Sequence, residues 1–257
     1  MDFIIIAIAA LLASMLTFFS GFGLGTILTG VFVIFFPVDT AIALTAIVHV
    51  LNNLFKAGLI GRHMNTGVVM RFGVPAIIGA VGGSLLLISL MSLEPLVQYA
   101  IGDRVFHITP IKLIIGLLML AFSMFELVPR FQRIQFPQRT MYAGGLLSGF
   151  FGGLSGHQGA LRSAFLVKVG LSKEAFIATG LVIAVLIDLT RLPVYMSRLT
   201  AVSYTDNMSV LIVAVLAAFI GAYIGNRLLR KVTLRFVQTL VGVMIGIIAL
   251  LLIGGIL

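Results

Sequence analysis

The stretch of sequence that decides the fold reads SGFGLGT at residues 20–26, and a second glycine-rich stretch, SGFFGGLSG, follows at residues 148–156. Each stretch adjoins an apolar run that is too short to cross a bilayer, because a spanning helix needs about 20 residues. Irregular backbone survives at membrane depth only where it faces protein or a watery cavity. The two stretches therefore predict a broken or re-entrant helix pair in each half of the chain.

The composition around these stretches is that of an integral membrane protein. Of the 257 residues, 60% are hydrophobic and 10% are charged, and the mean hydropathy is +1.20. A soluble domain carries roughly a quarter of charged residues, so soluble enzymes, nucleic-acid-binding proteins and disordered proteins are excluded. The chain has no cysteine, which removes disulfides, thiolate catalysis and cysteine-ligated metals. We expect an all-α polytopic transmembrane protein that keeps its first apolar segment, since no cationic signal-peptide region precedes it.

Similar segments recur in the two halves of the sequence. The tripeptide Ser-Gly-Phe at residues 20–22 recurs at 148–150, AIALT at 41–45 resembles AFIAT at 175–179, and Lys56 then corresponds to Arg191. The pair Gly79/Gly83 recurs as Gly221/Gly225. These matches predict two repeats, residues 1–128 and 129–257, each with a helical hairpin followed by three crossings.

The cationic residues orient this arrangement, because short cytoplasmic loops collect Lys and Arg. Segments 92–108 and 191–206 mix cations with carboxylates and are predicted to lie outside, together with both termini, in the bacterial inner membrane. The repeats then have opposite orientations, as in many secondary transporters that bind substrate between inverted repeats. The predicted inside clusters are Arg62 and Arg71; Arg130, Arg133 and Arg139; Lys168 and Lys173; and Arg227, Arg230, Lys231 and Arg235.

A polar stripe runs along the third apolar segment. Thr45, His49, Asn52, Asn53 and Lys56 recur at the spacing of one helix face, and the opposite face is aliphatic. Such a stripe is costly in lipid and is expected to face the bundle or a cavity. The structural alternative is hydrogen bonding between helices by the Thr and Asn residues, with Lys56 snorkelling toward the interface.

The corresponding segment of the second half carries a carboxylate. Asp188 and Arg191 stand three residues apart, close enough to pair on a helix, and Pro193 is expected to stop or kink it. An ionisable residue inside an apolar segment indicates a proton carrier or a charge partner, and a purely structural pair stays open. His49 is the other candidate proton carrier, because imidazole titrates near neutral pH.

The glycine breaks also predict anion binding. A helix that starts inside the membrane offers free N–H groups and a positive dipole end, and both halves add cations nearby. Glycines alone are weak evidence, because they also serve close helix packing. The predicted substrate site comprises Gly25, Thr26, Thr45, His49, Asn52, Asn53, Lys56, Gly156, His157, Gln158, Arg162 and Arg191.

Four segments carry a resemblance to a known family: SGFGLGTILT at 20–29, ALTAIVHVLNNLFK at 43–56, GFFGGLSGHQGALRS at 149–163 and DLTRLPVY at 188–195. With them the chain resembles the sulfite exporter TauE/SafE proteins, also called the 4-toluene sulfonate uptake permease family. The resemblance implies an inner-membrane permease for sulfite, sulfonates such as sulfoacetate, or related small organic anions. It implies no metal and no organic cofactor.

Other classes of function remain open from the sequence. Residues 153–156 read G-L-S-G, which matches the motif of intramembrane serine proteases with Ser155 as nucleophile, but His157 is expected on the opposite side of a helix from it. A passive anion channel and a membrane scaffold are further alternatives. The expected partners are the small anion and membrane lipid, without nucleic acid, and a homodimer is the candidate assembly.

Overall fold

A computed structural model describes residues 2–18, 23–132, 134–197, 207–228 and 234–257. Within these ranges the order of elements is a pair of short helices followed by long helices, and this order occurs twice. The helices are α1 (Asp2–Leu16), α2 (Leu24–Phe32), α3 (Val38–Ile60), α4 (Thr66–Val68), α5 (Val74–Met91), α6 (Pro110–Leu127), α7 (Pro129–Gln132), α8 (Met141–Ser155), α9 (Gly159–Leu166), α10 (Lys173–Met196), α11 (Met208–Leu228) and α12 (Leu234–Ile253).

The prediction of an all-α polytopic membrane protein is confirmed. Among the described residues, five helices are long and apolar enough to cross a membrane, and they contain α3, α5, α6, α10 and α11. A π-helical turn at Val69–Gly73 leads from α4 into α5, so that the two form one continuous span. A buried apolar core lies between these helices, with residues such as Leu28, Leu44 and Ile115 fully enclosed.

A two-stranded antiparallel sheet lies in the loop between α5 and α6, where the sequence analysis predicted no strand. Strand β1 (Val97–Ile101) pairs with β2 (Arg104–Ile108), with Val97 opposite Ile108. The Tyr99 hydroxyl donates to the carbonyl of Gly254 beyond the end of α12, which ties the hairpin to that helix. The hairpin occupies most of the segment 92–108 that we predicted outside the membrane.

Each short helix pair is interrupted at a glycine with a left-handed backbone. Gly23 has φ 104° before α2, and Gly156 has φ 80° between α8 and α9. Only glycine adopts these values without strain. The predicted breaks are therefore present, but the second is narrower than predicted, because residues 148–155 belong to the continuous helix α8 and the interruption before α9 covers only residues 156–158. Residues 20–22 of the first stretch lie outside the described residues.

Glycines bring two helix pairs into close backbone contact. In α5, a Cβ on Gly83 would lie 2.0 Å from the Phe150 carbonyl of α8, and in α11 a Cβ on Gly221 would lie 2.2 Å from the Leu11 carbonyl of α1. Gly79 and Gly225 approach the same partner helices. The repeated glycine pairs thus serve helix packing in both halves, as small residues do in membranes.

The remaining long helices pack in a reciprocal pattern. Helix α3 lies against α10, and α6 lies against α12, while α1 contacts α11 and α8 contacts α5. The first short helix of each half therefore packs on the second long helix of the other half. At the centre of this arrangement, α3 and α10 face each other and carry the polar residues of the candidate site.

Candidate functional site

The polar stripe on α3 faces the interior of the molecule, as predicted. Thr45, His49, Asn52, Asn53 and Lys56 are all buried, and Lys56 is only 2% exposed. Lys56 does not snorkel toward the interface, because its ammonium contacts interior groups. The stripe is therefore an internal polar surface.

A hydrogen-bonded triad joins α3 to α10. Asp188 is fully buried; one carboxylate oxygen lies 2.6 Å from His49 Nδ1, and the other accepts from Arg191 Nε at 3.0 Å, with Arg191 Nη2 at 2.8 Å. The Asn53 amide nitrogen is 3.3 Å from His49 Nε2. These partners favour the tautomer with hydrogen on Nδ1, which donates to Asp188 while Nε2 accepts from Asn53. The two candidate proton carriers thus form one unit.

Arg191 also holds the end of the broken helix α8. Its Nη1 donates to the Gly152 carbonyl at 3.1 Å, and the Tyr195 hydroxyl donates to the Gly153 carbonyl. The last carbonyls of a helix lack intrahelical donors and carry the negative end of the dipole. A buried guanidinium therefore satisfies both the helix end and Asp188.

Lys56 binds the C-terminal end of the broken helix α1 in the same way. Its Nζ is 3.4 Å from the Ser14 carbonyl, and it lies 5.5 Å from the centre of the Phe18 ring. When the Asn52 amide nitrogen donates to Ser14 Oγ and to the Ala218 carbonyl, the Asn52 oxygen accepts from Lys56 at 3.2 Å. Lys56 and Arg191, which the predicted repeat aligns with each other, thus each bind the C-terminal end of a first short helix.

Helices α2 and α9, the second short helix of each half, begin next to the triad of His49, Asp188 and Arg191. A Cβ on Gly25, in the first turn of α2, would lie 3.3 Å from the His49 ring and 3.5 Å from the Gly156 carbonyl. A Cβ on Gly156 would lie 2.9 Å from Arg191 Nη1. The two breaks therefore meet beside the triad, and larger residues would separate them.

Arg162 extends the centre along α9. Its Nη1 donates to Gln158 Oε1 at 3.2 Å, and its Nε lies 3.3 Å from the Cβ position of Gly180 in α10. Gln158 and Arg162, four residues apart, are therefore in direct contact. Gln158 Nε2 and Thr45 Oγ1 are buried and have no hydrogen-bond partner among the described residues.

A small cavity lies at the starts of α2 and α9. It has a volume of about 10 Å³, near the minimum that one water molecule needs. Its polar lining includes Thr26, His157 and Glu126, and the backbone of Gly159 and Ala160 completes that side. The N-terminal ends of both second short helices thus open onto one space.

Glu126 is the functional candidate that the sequence analysis missed. It is 7% exposed in α6 and lines this cavity. The signal was present, because a carboxylate inside the apolar run 109–128 meets the criterion that singled out Asp188. At ordinary ionisation, the buried Lys, Arg, Asp and Glu side chains of the described residues are three cations and two carboxylates, an excess of one positive charge: Lys56, Arg162, Arg191, Asp188 and Glu126.

A larger cavity of about 560 Å³ lies at the opposite end of α2. Asp39, Thr109 and Lys112 contribute its polar lining, together with residues that follow α2 from Val33 onward. Helix α2 therefore runs between the two cavities, with Thr26 at one end and Val33 at the other. No group of three or more His, Cys, Asp or Glu side chains suited to a metal occurs among the described residues.

The geometry around Ser155 corrects one expectation. His157 does not lie on the opposite side from this serine; its Nδ1 is 3.1 Å from Ser155 Oγ and 2.9 Å from the Ser155 carbonyl. The backbone turn at Gly156 brings the two together. However, Ser155 Oγ donates to the Phe151 carbonyl at 3.1 Å, and the carbonyl contact requires the hydrogen on Nδ1. The imidazole nitrogen nearest the serine is therefore a donor and not a base.

The fold and the site together define a polytopic helical membrane protein whose buried polar centre is built on two broken helices. The chain belongs to the sulfite exporter TauE/SafE family, whose model matches residues 6–252. This family comprises membrane transporters of sulfur anions, so the chain is a membrane-embedded transport protein. A search of curated proteins found no match, and a search of solved structures found none.

Proposed function

We propose that the protein is a secondary transporter that carries sulfite, sulfonates such as sulfoacetate, or related small organic anions across the bacterial inner membrane. The observation that carries this proposal is the shared cavity onto which the N-terminal ends of α2 and α9 open. Helix N-termini bind anions through free N–H groups and the positive dipole end. The excess of buried positive charge favours the same class of ligand.

The reciprocal packing of the helices supports alternating access between two inverted repeats. Helices α1 and α8 each pack on a long helix of the other half, while α3 meets α10 and α6 meets α12. An exchange of these contacts between the halves would open the central cavity first to one side and then to the other. The small cavity volume fits a closed stage of this cycle.

The predicted site residues divide into two roles in this mechanism. The first turns of α2 and α9 contact the anion in the cavity. Gln158, whose Nε2 has no partner among the described residues, and Arg162, which bonds to Gln158, lie just outside the lining and reach the anion when the cavity widens. Lys56 and Arg191 act without contacting the anion, because each already binds the C-terminal end of a first short helix. Their charges lower the cost of bringing an anion into the interior.

The His49 and Asp188 unit supplies proton coupling in this proposal. Both side chains can bind a proton, and the hydrogen bond of His49 to Asp188 links α3 of one half to α10 of the other. Protonation would therefore alter a contact between the two halves. Such a contact is a suitable place to couple a proton to the conformational change.

Flux in proteoliposomes tests the transport proposal. Purified protein is supplied with sulfite, sulfoacetate, taurine or lactate under an imposed pH gradient or membrane potential. We expect saturable uptake of at least one sulfur anion, driven by a gradient. Arg162→Gln should weaken binding by about 1.5–3 kcal/mol, the worth of a charge-assisted hydrogen bond, whereas the exposed Lys168→Gln should not. Non-saturable flux would indicate a channel instead.

A second experiment tests the proton carriers. His49→Gln and Asp188→Asn should lose pH-driven accumulation yet keep counterflow of labelled substrate, because exchange needs the anion site but no net proton movement. His63→Gln is the matched control, since His63 is exposed. If both variants concentrate substrate as the wild type does, the proton travels elsewhere.

A further inference from the structure

Two hydrogen-bond acceptors line the cavity between α2 and α9 and have no role in the transport mechanism proposed so far. Glu126 lines it from α6, and His157 lines it from the break between α8 and α9. Hydrogen-bond acceptors beside helix N-termini are unexpected in a simple anion site, because an anion is itself an acceptor and cannot donate a hydrogen bond to them. Their presence restricts which anion the cavity can hold.

Two contacts fix the orientation of His157. Its Nδ1 donates to the Ser155 carbonyl at 2.9 Å, and its ring stacks on Phe122 with centroids 5.5 Å apart and an interplanar angle of 13°. Its Nε2 is buried and has no partner in the described part of the chain, and the residue is 2% exposed. Because the hydrogen is on Nδ1, Nε2 of the neutral ring presents a lone pair.

Glu126 adds acceptor capacity on the side of α6. A carboxylate has about four lone-pair positions, so its existing interaction leaves others available to a ligand. Opposite it, the N–H groups at the start of α9 offer donors near Gly159 and Ala160. A complementary ligand therefore needs oxygen atoms for the N–H groups and a hydrogen for Glu126 or His157.

We infer that this cavity, once it widens beyond its closed volume of about 10 Å³, is the subsite for a small oxyanion that still carries one ionisable hydrogen, such as hydrogensulfite, in preference to the fully ionised form or to an anion without that hydrogen. This inference rests on the proposed anion transport and names the form of the substrate. The ligand's oxygens accept from the starts of α2 and α9, and its hydrogen is donated to Glu126 or to His157 Nε2.

The preference is strong because the acceptors are buried. A site built to hydrogen-bond a substrate hydrogen rejects analogues that lack it, since its polar groups are then left unpaired. The other charged or titratable groups around the cavity are His49, beside Gly25 in the first turn of α2, Arg191, beside Gly156, Arg162 on α9, and Asp188, which pairs with His49 and Arg191. The two arginines stay charged at all relevant pH values, so they raise the affinity for any anion without selecting its protonated form.

Binding of two probe anions to the purified protein tests this inference. Sulfite loses its hydrogen within the range from about pH 5 to about pH 8 in which histidine also titrates, whereas methanesulfonate is a monoanion without an ionisable hydrogen throughout. Calorimetry should give a sulfite affinity that falls as the pH rises, and a methanesulfonate affinity that is weaker by about tenfold or more at low pH. Methanesulfonate affinity should not change with pH.

Two variants assign this preference to the cavity. Glu126→Gln gives the ligand a donor as well as an acceptor, so the preference for sulfite at low pH should shrink by about tenfold. His157→Gln is a second, independent variant with the same expected direction. The exposed residues Glu94 and His63 supply the matched controls Glu94→Gln and His63→Gln, which should keep the wild-type preference.

Three outcomes would overturn the inference. If methanesulfonate gains affinity at low pH as sulfite does, the proton is on the protein and not on the ligand. If both cavity variants keep the full preference, the hydrogen is recognised elsewhere. If the wild type transports sulfite without any preference, this inference alone fails; if it neither binds nor transports either anion, the proposed function fails with it.

Discussion

At the scale of single residues, the site depends on compensation of buried charge. Asp188 and Arg191 are both fully buried and pair within one turn of α10. Removing one member of a buried pair leaves an uncompensated charge, which is far costlier than removing both. His49 on Asp188 and the Gly152 carbonyl on Arg191 complete the set of partners.

A double-mutant cycle checks this dependence. Arg191→Met should destabilise the protein by about 3–5 kcal/mol, because it leaves Asp188 without its main cation. Asp188→Asn in addition to Arg191→Met should recover part of that loss. The measurement is thermal unfolding in detergent of the wild type, both single variants and the double variant. Additive losses would mean that the pair is not energetically coupled.

Sequence reasoning identified the residues of this pair but not their full environment. The spacing of Thr45, His49 and Lys56 predicted one buried face, because helical periodicity is a local property. The contact of His49 with Asp188 joins residues far apart in sequence, and nothing local signals it. Glu126 was overlooked although its apolar surroundings were visible, and the contact between Ser155 and His157 depends on the left-handed turn at Gly156.

At the scale of elements, glycines position the helices that surround the site. The Cβ position of Gly83 is 2.0 Å from the Phe150 carbonyl, whereas that of Gly82, its neighbour in α5, is 3.9 Å from the nearest atom, in the Phe150 ring. The two residues therefore differ in packing but share the same helix and the same gain in helix propensity on change to alanine.

This difference gives a matched prediction. Gly83→Ala should destabilise the protein by about 1–3 kcal/mol, because α5 and α8 must separate to admit the methyl group. Gly82→Ala should be neutral or slightly stabilising. Thermal unfolding in detergent measures both. Equal effects of the two substitutions would show that the close approach of α5 to α8 contributes little to stability.

The sequence predicted the helical segments closely but not every element. Apolar runs and glycine breaks marked α3, α5, α6, α10 and α11, because length and hydropathy decide membrane helices. The hairpin of β1 and β2 was missed, since a short alternating run such as VQYAI at 97–101 is a weak signal between two strong ones. The breadth of the second break was overestimated because glycine is tolerated within packed membrane helices such as α8.

At the scale of the whole molecule, orientation in the membrane is the main expectation still to be tested. The hairpin turn at Gly102 and Asp103 lies in a segment predicted outside, and the turn before α8 near Gln138 lies in a basic loop predicted inside. Both positions are exposed, and the chain has no native cysteine.

Single cysteines at these turns test the orientation. Asp103→Cys should react with a membrane-impermeant maleimide in intact cells, and Gln138→Cys should react only after the membrane is permeabilised. Both variants should be labelled fully in detergent, which serves as the control for accessibility. Labelling of Gln138→Cys in intact cells would contradict the inverted orientation of the two repeats.

The contact of α1 with α11 has a consequence for biosynthesis. Helix α1 is translated before α11, so the carbonyl of Leu11 lacks its packing partner until Gly221 has been synthesised much later. Until then a short helix of 15 residues with an incomplete binding face stays beside the insertion machinery or in lipid. The two halves therefore cannot mature one after the other during translation, because α1 reaches its final place only after α11 has been made.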